Sequence, residues 1–156
     1  MNYKENLFFI AECLTINHEA KNNNRIETIL KSNTVDWDEV VKLSTAHYVF
    51  PALYYNFKKA DLLHYLPDEL VNYMQYISNL NKERNEQIIA QATEINSLLQ
   101  AYNIHPIFLK GTGNLLEGLY EDIGERMVGD IDFIFSKEDY PKVIKILSEF
   151  GYAKVH

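Results

Sequence analysis

The sequence is poor in several things, and each shortage closes a class of function. One cysteine, Cys13, occurs in 156 residues. No disulfide can form within the chain, which suits a reducing compartment. Cys13 lies in an apolar stretch and reads as a packing residue. Positive charge is also short: 15 Lys and Arg stand against 22 Asp and Glu, a formal net charge of -7. A duplex binder generally presents a basic surface to phosphates, so general duplex nucleic-acid binding is not expected. An acidic protein can still take a nucleotide when a divalent cation bridges the two. No apolar run nears the length of a membrane span, and no basic region with a signal-type apolar core opens the chain. The expectation is a cytoplasmic protein without a membrane partner. Repeats and low-complexity tracts are missing, as are P-loop spacing and Gly-x-Gly-x-x-Gly. His18, His64 and His105 show no metal-ligand spacing.

What is there is core material. Hydrophobic residues make up 47%, with eleven Tyr and eight Phe. The length suits one domain, or a small domain plus part of a second. Residues 1–102 read as an all-helical region. Leu7, Phe8, Ile10, Ala11 and Leu14 recur at helical spacing. Asn22, Asn23 and Asn24 predict a polar break, followed by a short helix from Arg25 to Lys31. Asp36 is a good N-cap for a helix through Trp37, Val40, Val41 and Leu43, with Trp37 as a core anchor. Pro51 suits the first turn of another helix. Pro67 opens the longest, from Asp68 to about Tyr102, with a polar stretch from Asn81 to Gln87 that predicts solvation or a bend.

The character changes at 103. Ile104 to Leu109 is apolar and β-prone and predicts a strand. Lys110-Gly111-Thr112-Gly113 predicts a turn into a helix carrying Leu115, Leu116, Leu119 and Tyr120, the last two in the core. Met127 to Phe135 contains a second predicted strand. Ser136 reads as an N-cap, Val143 to Phe150 as an amphipathic helix, and Gly151 as its stop. Tyr152 to His156 predicts the start of another strand. The acids Glu117, Glu121, Asp122 and Glu125 read as a solvated face.

Asp130-Ile131-Asp132 is the most informative triplet. In a strand, residues two apart share a face at roughly 7 Å, so both carboxylates point one way. Paired carboxylates repel and are costly to bury uncompensated. A divalent cation resolves the conflict, and Mg²⁺ favours one or two carboxylates plus phosphate oxygens and water. A solvated strand end or an Arg partner is the bland alternative. At Lys110-Gly111-Thr112, glycine lets the backbone approach a phosphate, while N–H groups and the Thr112 hydroxyl can bind it. Thr112 as a simple N-cap is the alternative there.

Taken in order, the motifs are an apolar strand, Lys110-Gly111, a helix ending Leu119-Tyr120, Arg126, then Asp130-Ile131-Asp132 and a second apolar strand. This resembles the uncharacterised nucleotidyltransferase-like family, a Lys-Gly and Asp-x-Asp branch of the DNA polymerase beta nucleotidyltransferase superfamily. The motifs cover about Phe108 to Phe135, and Ala46-His47, Val49, Pro51, Leu53 and Tyr54 add an echo in the helical half. The resemblance implies an α+β fold: an N-terminal helical region with a long helix at 1–102, then the first strand-helix-strand-helix part of a polymerase-beta-like core at 103–156. It implies Asp130 and Asp132 as catalytic metal ligands for Mg²⁺ or Mn²⁺. Gly111 and Thr112 would hold the terminal phosphates of an NTP, with Lys110 and Arg126 adding positive charge. The implied reaction moves a nucleoside monophosphate from the NTP to a hydroxyl of an acceptor whose identity the sequence does not give.

The chain departs from the family pattern in places. Thr112-Gly113-Asn114 replaces a small-small-leucine run, and Tyr120 falls one residue late. The superfamily's third carboxylate comes from a later strand, whereas Glu138, Asp139 and Glu149 fall in or at the start of a predicted helix. The chain stops where that strand would begin, so a truncated core is expected. A catalytically inactive nucleotide-binding or protein-interaction module of the same fold is the rival expectation. An open sheet edge on a half-core also offers a route to a homodimer.

Overall fold

The computed structural model describes residues 2–153, so residues 154–156 of the expected last strand lie outside the described residues. The N-terminal elements are helices α1 (Tyr3–Leu14), α2 (Ala20–Lys31), α3 (Trp37–Ala46), α4 (Phe50–Lys59) and α5 (Asp68–Gln100). Then come β1 (Ile107–Phe108), α6 (Lys110–Leu116), β2 (Phe133–Ile134) and α7 (Tyr140–Glu149), with short 3-10 turns between some of them. The class is α+β, as expected.

Local chemistry explains most boundaries. Asn2 and Glu5 form a reciprocal capping box on α1. The Asp36 carboxylate accepts from the Glu39 N–H and starts α3, and Pro51 sits in the first turn of α4. The expected break at Asn22–Asn24 does not occur, because α2 runs straight through it. Asparagine costs a helix only a few tenths of a kcal/mol, about 0.6 per residue. Ile26 and Leu30, both buried further along α2, outweigh that. Several helices stop without glycine: Tyr48 and Asp61 take the left-handed conformation, with φ of 58° and 57°. The Val49 N–H then reaches back to Ser44 O, and the Leu62 N–H to Phe57 O, which occupies carbonyls that a helix end would leave bare.

The chain forms two compact units. The helical unit runs up to Asn85 and takes in Tyr120–Met127. Its core gathers Phe9, Ile26, Leu53, Phe57 and Met74, each fully buried aromatic or aliphatic residue contributing roughly 2 kcal/mol. Trp37 is the expected anchor, meeting Phe9 and Phe57 edge-on at 6.3 and 6.4 Å. Cys13 is buried in the same core, and burial pushes its thiol well up.

The second unit comprises Glu86–Leu119 and Val128 onward. Its strands pair antiparallel, Ile107 opposite Ile134 and Phe108 opposite Phe133. Both are two residues long, shorter than expected. Phe108 and Phe133 join the core of Ile95, Leu99, Ile104, Val143 and Ile146, while Ile107 and Ile134 face outward, the alternation a pleat imposes. Helix α7 ends as expected at Gly151, φ 97°. The Tyr152 N–H bonds Leu147 O, and the Gly151 N–H bonds Ser148 O. Ser136 begins a 3-10 turn but makes no side-chain cap there, against expectation.

Candidate functional site

The junction between β1 and α6 builds the site. Lys110 to Gly113 form the opening turn of α6 rather than a separate loop. Lys110 itself takes φ 51°, a left-handed conformation uncommon outside glycine. Two glycines let the helix lie close to its surroundings. A Cβ on Gly113 would come 2.8 Å from the Phe108 carbonyl oxygen, and one on Gly111 would come 2.9 Å from Val128 Cγ2. Both glycines therefore have a packing role.

Asp130 and Asp132 do not lie in the strand, as expected, but on the approach to it, since β2 begins at Phe133. The β1–α6 junction holds both. The Leu109 N–H donates to Asp132 O at 2.9 Å, one step beyond the register of the sheet. The Thr112 hydroxyl, on a buried residue, donates to Asp130 O at 2.9 Å. Thr112 therefore neither caps α6 nor leaves its hydroxyl proton free. The two motifs are tied to each other through the main chain of the aspartates.

Electrostatics follow from that geometry. Lys110 Nζ lies 3.0 Å from Asp132 Oδ2. The hydrogen bond to Asp132 and its charge raise the Lys110 pKa, and the Asp130 charge adds to the effect. One ammonium thus senses both carboxylates. Carboxylate oxygens are the hard donors that Mg²⁺ and Mn²⁺ favour. Among the described residues, no group of three His, Cys, Asp or Glu side chains forms a cluster able to hold a metal ion. Glu138, Asp139 and Glu149 lie in a 3-10 turn and in α7.

Arg126 belongs to the helical unit, in the segment Tyr120–Met127. Its side chain is exposed. This segment contains what the sequence reading missed. Asp122 accepts from the Gly124 N–H at 2.9 Å and pairs with Lys82 at 3.0 Å. Burial opposes the Asp122 charge, but bonds from Gly124, Lys82 and Tyr55 outweigh it and hold the carboxyl below its usual range. Burial and the Asp122 hydrogen bond push the Tyr55 phenol up. Burial, Glu121 and Asp122 raise the Glu125 carboxyl, and Glu121 pairs with Lys59. Glu117 and Glu121 are exposed, as a solvated face requires, whereas Asp122 and Glu125 are half-buried and Asp122 is latched by its partners. Asn81 and Asn85, expected in a solvated or bent stretch, are buried at 6% and 0% exposure.

Leu119 is exposed rather than core. Helix α6 stops at Leu116 because Gly118 turns left-handed, φ 68°, and the Leu119 N–H folds back to Asn114 O. Gly118 was the signal in the sequence that could have revealed it. His47, at the end of α3, is exposed.

An α+β chain with a paired-aspartate turn held by a Lys-Gly-Thr junction is the class these observations define. The chain belongs to the uncharacterised nucleotidyltransferase family, whose model matches residues 33–156. That match reaches back through α3, α4 and α5, beyond the motif region. No curated protein and no solved structure matches the chain. No described helix is long and apolar enough to cross a membrane.

Proposed function

We propose that the chain carries a metal-dependent nucleotidyltransferase site of the polymerase-beta kind, moving a nucleoside monophosphate from an NTP to an acceptor hydroxyl. The carrying observation is the single ammonium of Lys110 drawn to the Asp130 and Asp132 carboxylates. Asp130 and Asp132 are the catalytic ligands for Mg²⁺ or Mn²⁺. When bound, the ion supplies Lewis-acid activation of the attacking hydroxyl and stabilises the pyrophosphate that leaves. Gly111 and Thr112 serve the terminal phosphates through backbone N–H groups, and the Thr112 hydroxyl keeps Asp130 in place. Lys110 exchanges its carboxylate partner for phosphate oxygen, and Arg126 adds a second cation. Work of this kind is largely positioning and electrostatics.

Calorimetric titration of ATP and GTP, with Mg²⁺ and then with EDTA, tests the proposal. Metal-dependent binding is expected, weakened at least about tenfold in Asp130→Ala and in Asp132→Ala. Binding indifferent to both substitutions would refute it. A second reading, a catalytically inactive nucleotide-binding or protein-interaction module, draws on the positions of Glu138, Asp139 and Glu149 in helical turns. Pyrophosphate release with a panel of hydroxyl acceptors favours the first reading, and binding without release favours the second.

A further inference from the structure

The polar run inside the buried face of α5 has no part in the aspartate site. Met74, Ser78, Asn81, Asn85 and Ile88 are successive buried positions of that helix, yet three are polar. A buried amide without partners is costly; the Nδ2 groups of these two asparagines have partners of one kind, while Asn85 Oδ1 has none among the described residues. Asn81 Nδ2 donates to Gly124 O at 2.7 Å and to Arg126 O at 3.0 Å. Asn85 Nδ2 donates to Ile123 O at 2.5 Å and to Arg126 O at 2.7 Å. Two side-chain amides therefore converge on the carbonyl of Arg126, and each also takes a carbonyl of the preceding turn.

Other groups fix the same turn. Asp122 accepts from the Gly124 N–H. Gly124 has no room for a Cβ, which would collide with the Tyr55 hydroxyl. The main chain at Arg126 is thus held from several directions, while its side chain stays exposed and, among the described residues, in no ion pair. A cation on a backbone already fixed loses less entropy when it meets an anion than one on a loose loop.

We infer that Asn81 and Asn85 are positioning residues: their amides clamp the Ile123–Arg126 turn so that the Arg126 guanidinium is presented to nucleotide phosphate. The inference rests on the nucleotide reading of Arg126 given above, and it adds two residues that no motif marks. Leucine at either position would extend the apolar stripe and suit the helix, but would remove one of the two side-chain donors to Arg126 O and the side-chain donor to Gly124 O or to Ile123 O.

The test is a double-mutant cycle on the full chain, with MgATP and MgGTP as probes and titration calorimetry as readout. Arg126→Ala is expected to weaken binding roughly tenfold. Asn85→Leu is expected to weaken it by a comparable factor in the wild-type background, and by nothing further in Arg126→Ala, because the clamp acts through that side chain. Equal weakening in both backgrounds would mark Asn85 as a general structural residue and overturn the inference. Binding that survives Arg126→Ala unchanged would overturn it while leaving the aspartate site standing, and no binding by the wild-type chain would overturn both. Should Asn85→Leu not fold, the unmodified chain still decides. Saturating MgATP is expected to slow tryptic cleavage after Arg126 several-fold, and an unchanged cleavage rate would count against the inference.

Discussion

Lys110 shows how a single side chain can hold a site in its resting charge state. Its ammonium sits on Asp132 and senses Asp130, so two carboxylates that would repel each other have a shared counter-charge. The pair is open to solvent at the lysine, so it is an exchangeable partner rather than a stability device. Glu125 lies at the other extreme. Burial, with Glu121 and Asp122 nearby, raises its pKa. A carboxyl raised in the folded state contributes stability that is fully present below its ordinary range and is lost as pH rises through the folded value. Glu125→Gln should therefore raise the melting temperature at neutral pH. The gain should be no more than about 2 °C, since residual solvent contact screens the effect. It should vanish when melting is repeated at a pH below the usual glutamate range. A lower melting temperature at neutral pH would mean that the Glu125 charge is favourable, contrary to this account.

At the scale of elements, α6 is short and depends on its glycines. Gly113→Ala places a methyl against the Phe108 carbonyl, and a main-chain atom of a paired strand cannot swing away as a side-chain tip can. A loss of about 1–3 kcal/mol is expected from urea unfolding of the purified variant. Gly129→Ala is the control: no atom lies within 4 Å of its Cβ position, and a change within about 0.5 kcal/mol is expected. Equal costs at the two positions would show that the close approach of α6 to β1 does not matter. Helix α5 carries the complementary lesson. Its buried positions, Met74, Ser78, Asn81, Asn85, Ile88, Ala92, Ile95 and Leu99, alternate in steps of four and three, the spacing of one continuous helical stripe. Read for apolar residues alone, that stripe breaks in the middle. Read for burial, it is unbroken, because the amides of Asn81 and Asn85 meet the carbonyls of another segment.

For the molecule as a whole, protection should be uneven. The helical unit has a broad apolar core built on Phe9, Leu53, Phe57 and Met74. The sheet of the second unit consists of two two-residue strands with Ile107 and Ile134 on its exposed face. Hydrogen exchange is expected to find its slowest amides in α4 and the first half of α5, and fast exchange at β1 and β2. The slowest class appearing in the strands instead would mean that the sheet is the stability centre. The family match from residue 33 takes in α3, α4 and α5 as well as the motif region, so these three helices are part of what the family shares.

The sequence by itself determined the helical character of the first hundred residues, the caps at Asp36 and Pro51, the stop at Gly151 and the family. Each of these rests on local signals: periodicity, a capping oxygen, a glycine, or a motif read along the chain. Only the tertiary structure decided that Asn22 to Asn24 lie within a helix, that Thr112 holds Asp130, and that Asp122 is latched by Lys82 and Tyr55. It also decided that Asn81 and Asn85 face inward. A polar side chain reads as solvent-facing until its partner is known. For Thr112, Asp122, Asn81 and Asn85 the partner is a carbonyl, a charge or a hydroxyl 18 to 67 positions away, at a distance in sequence that no periodicity reports.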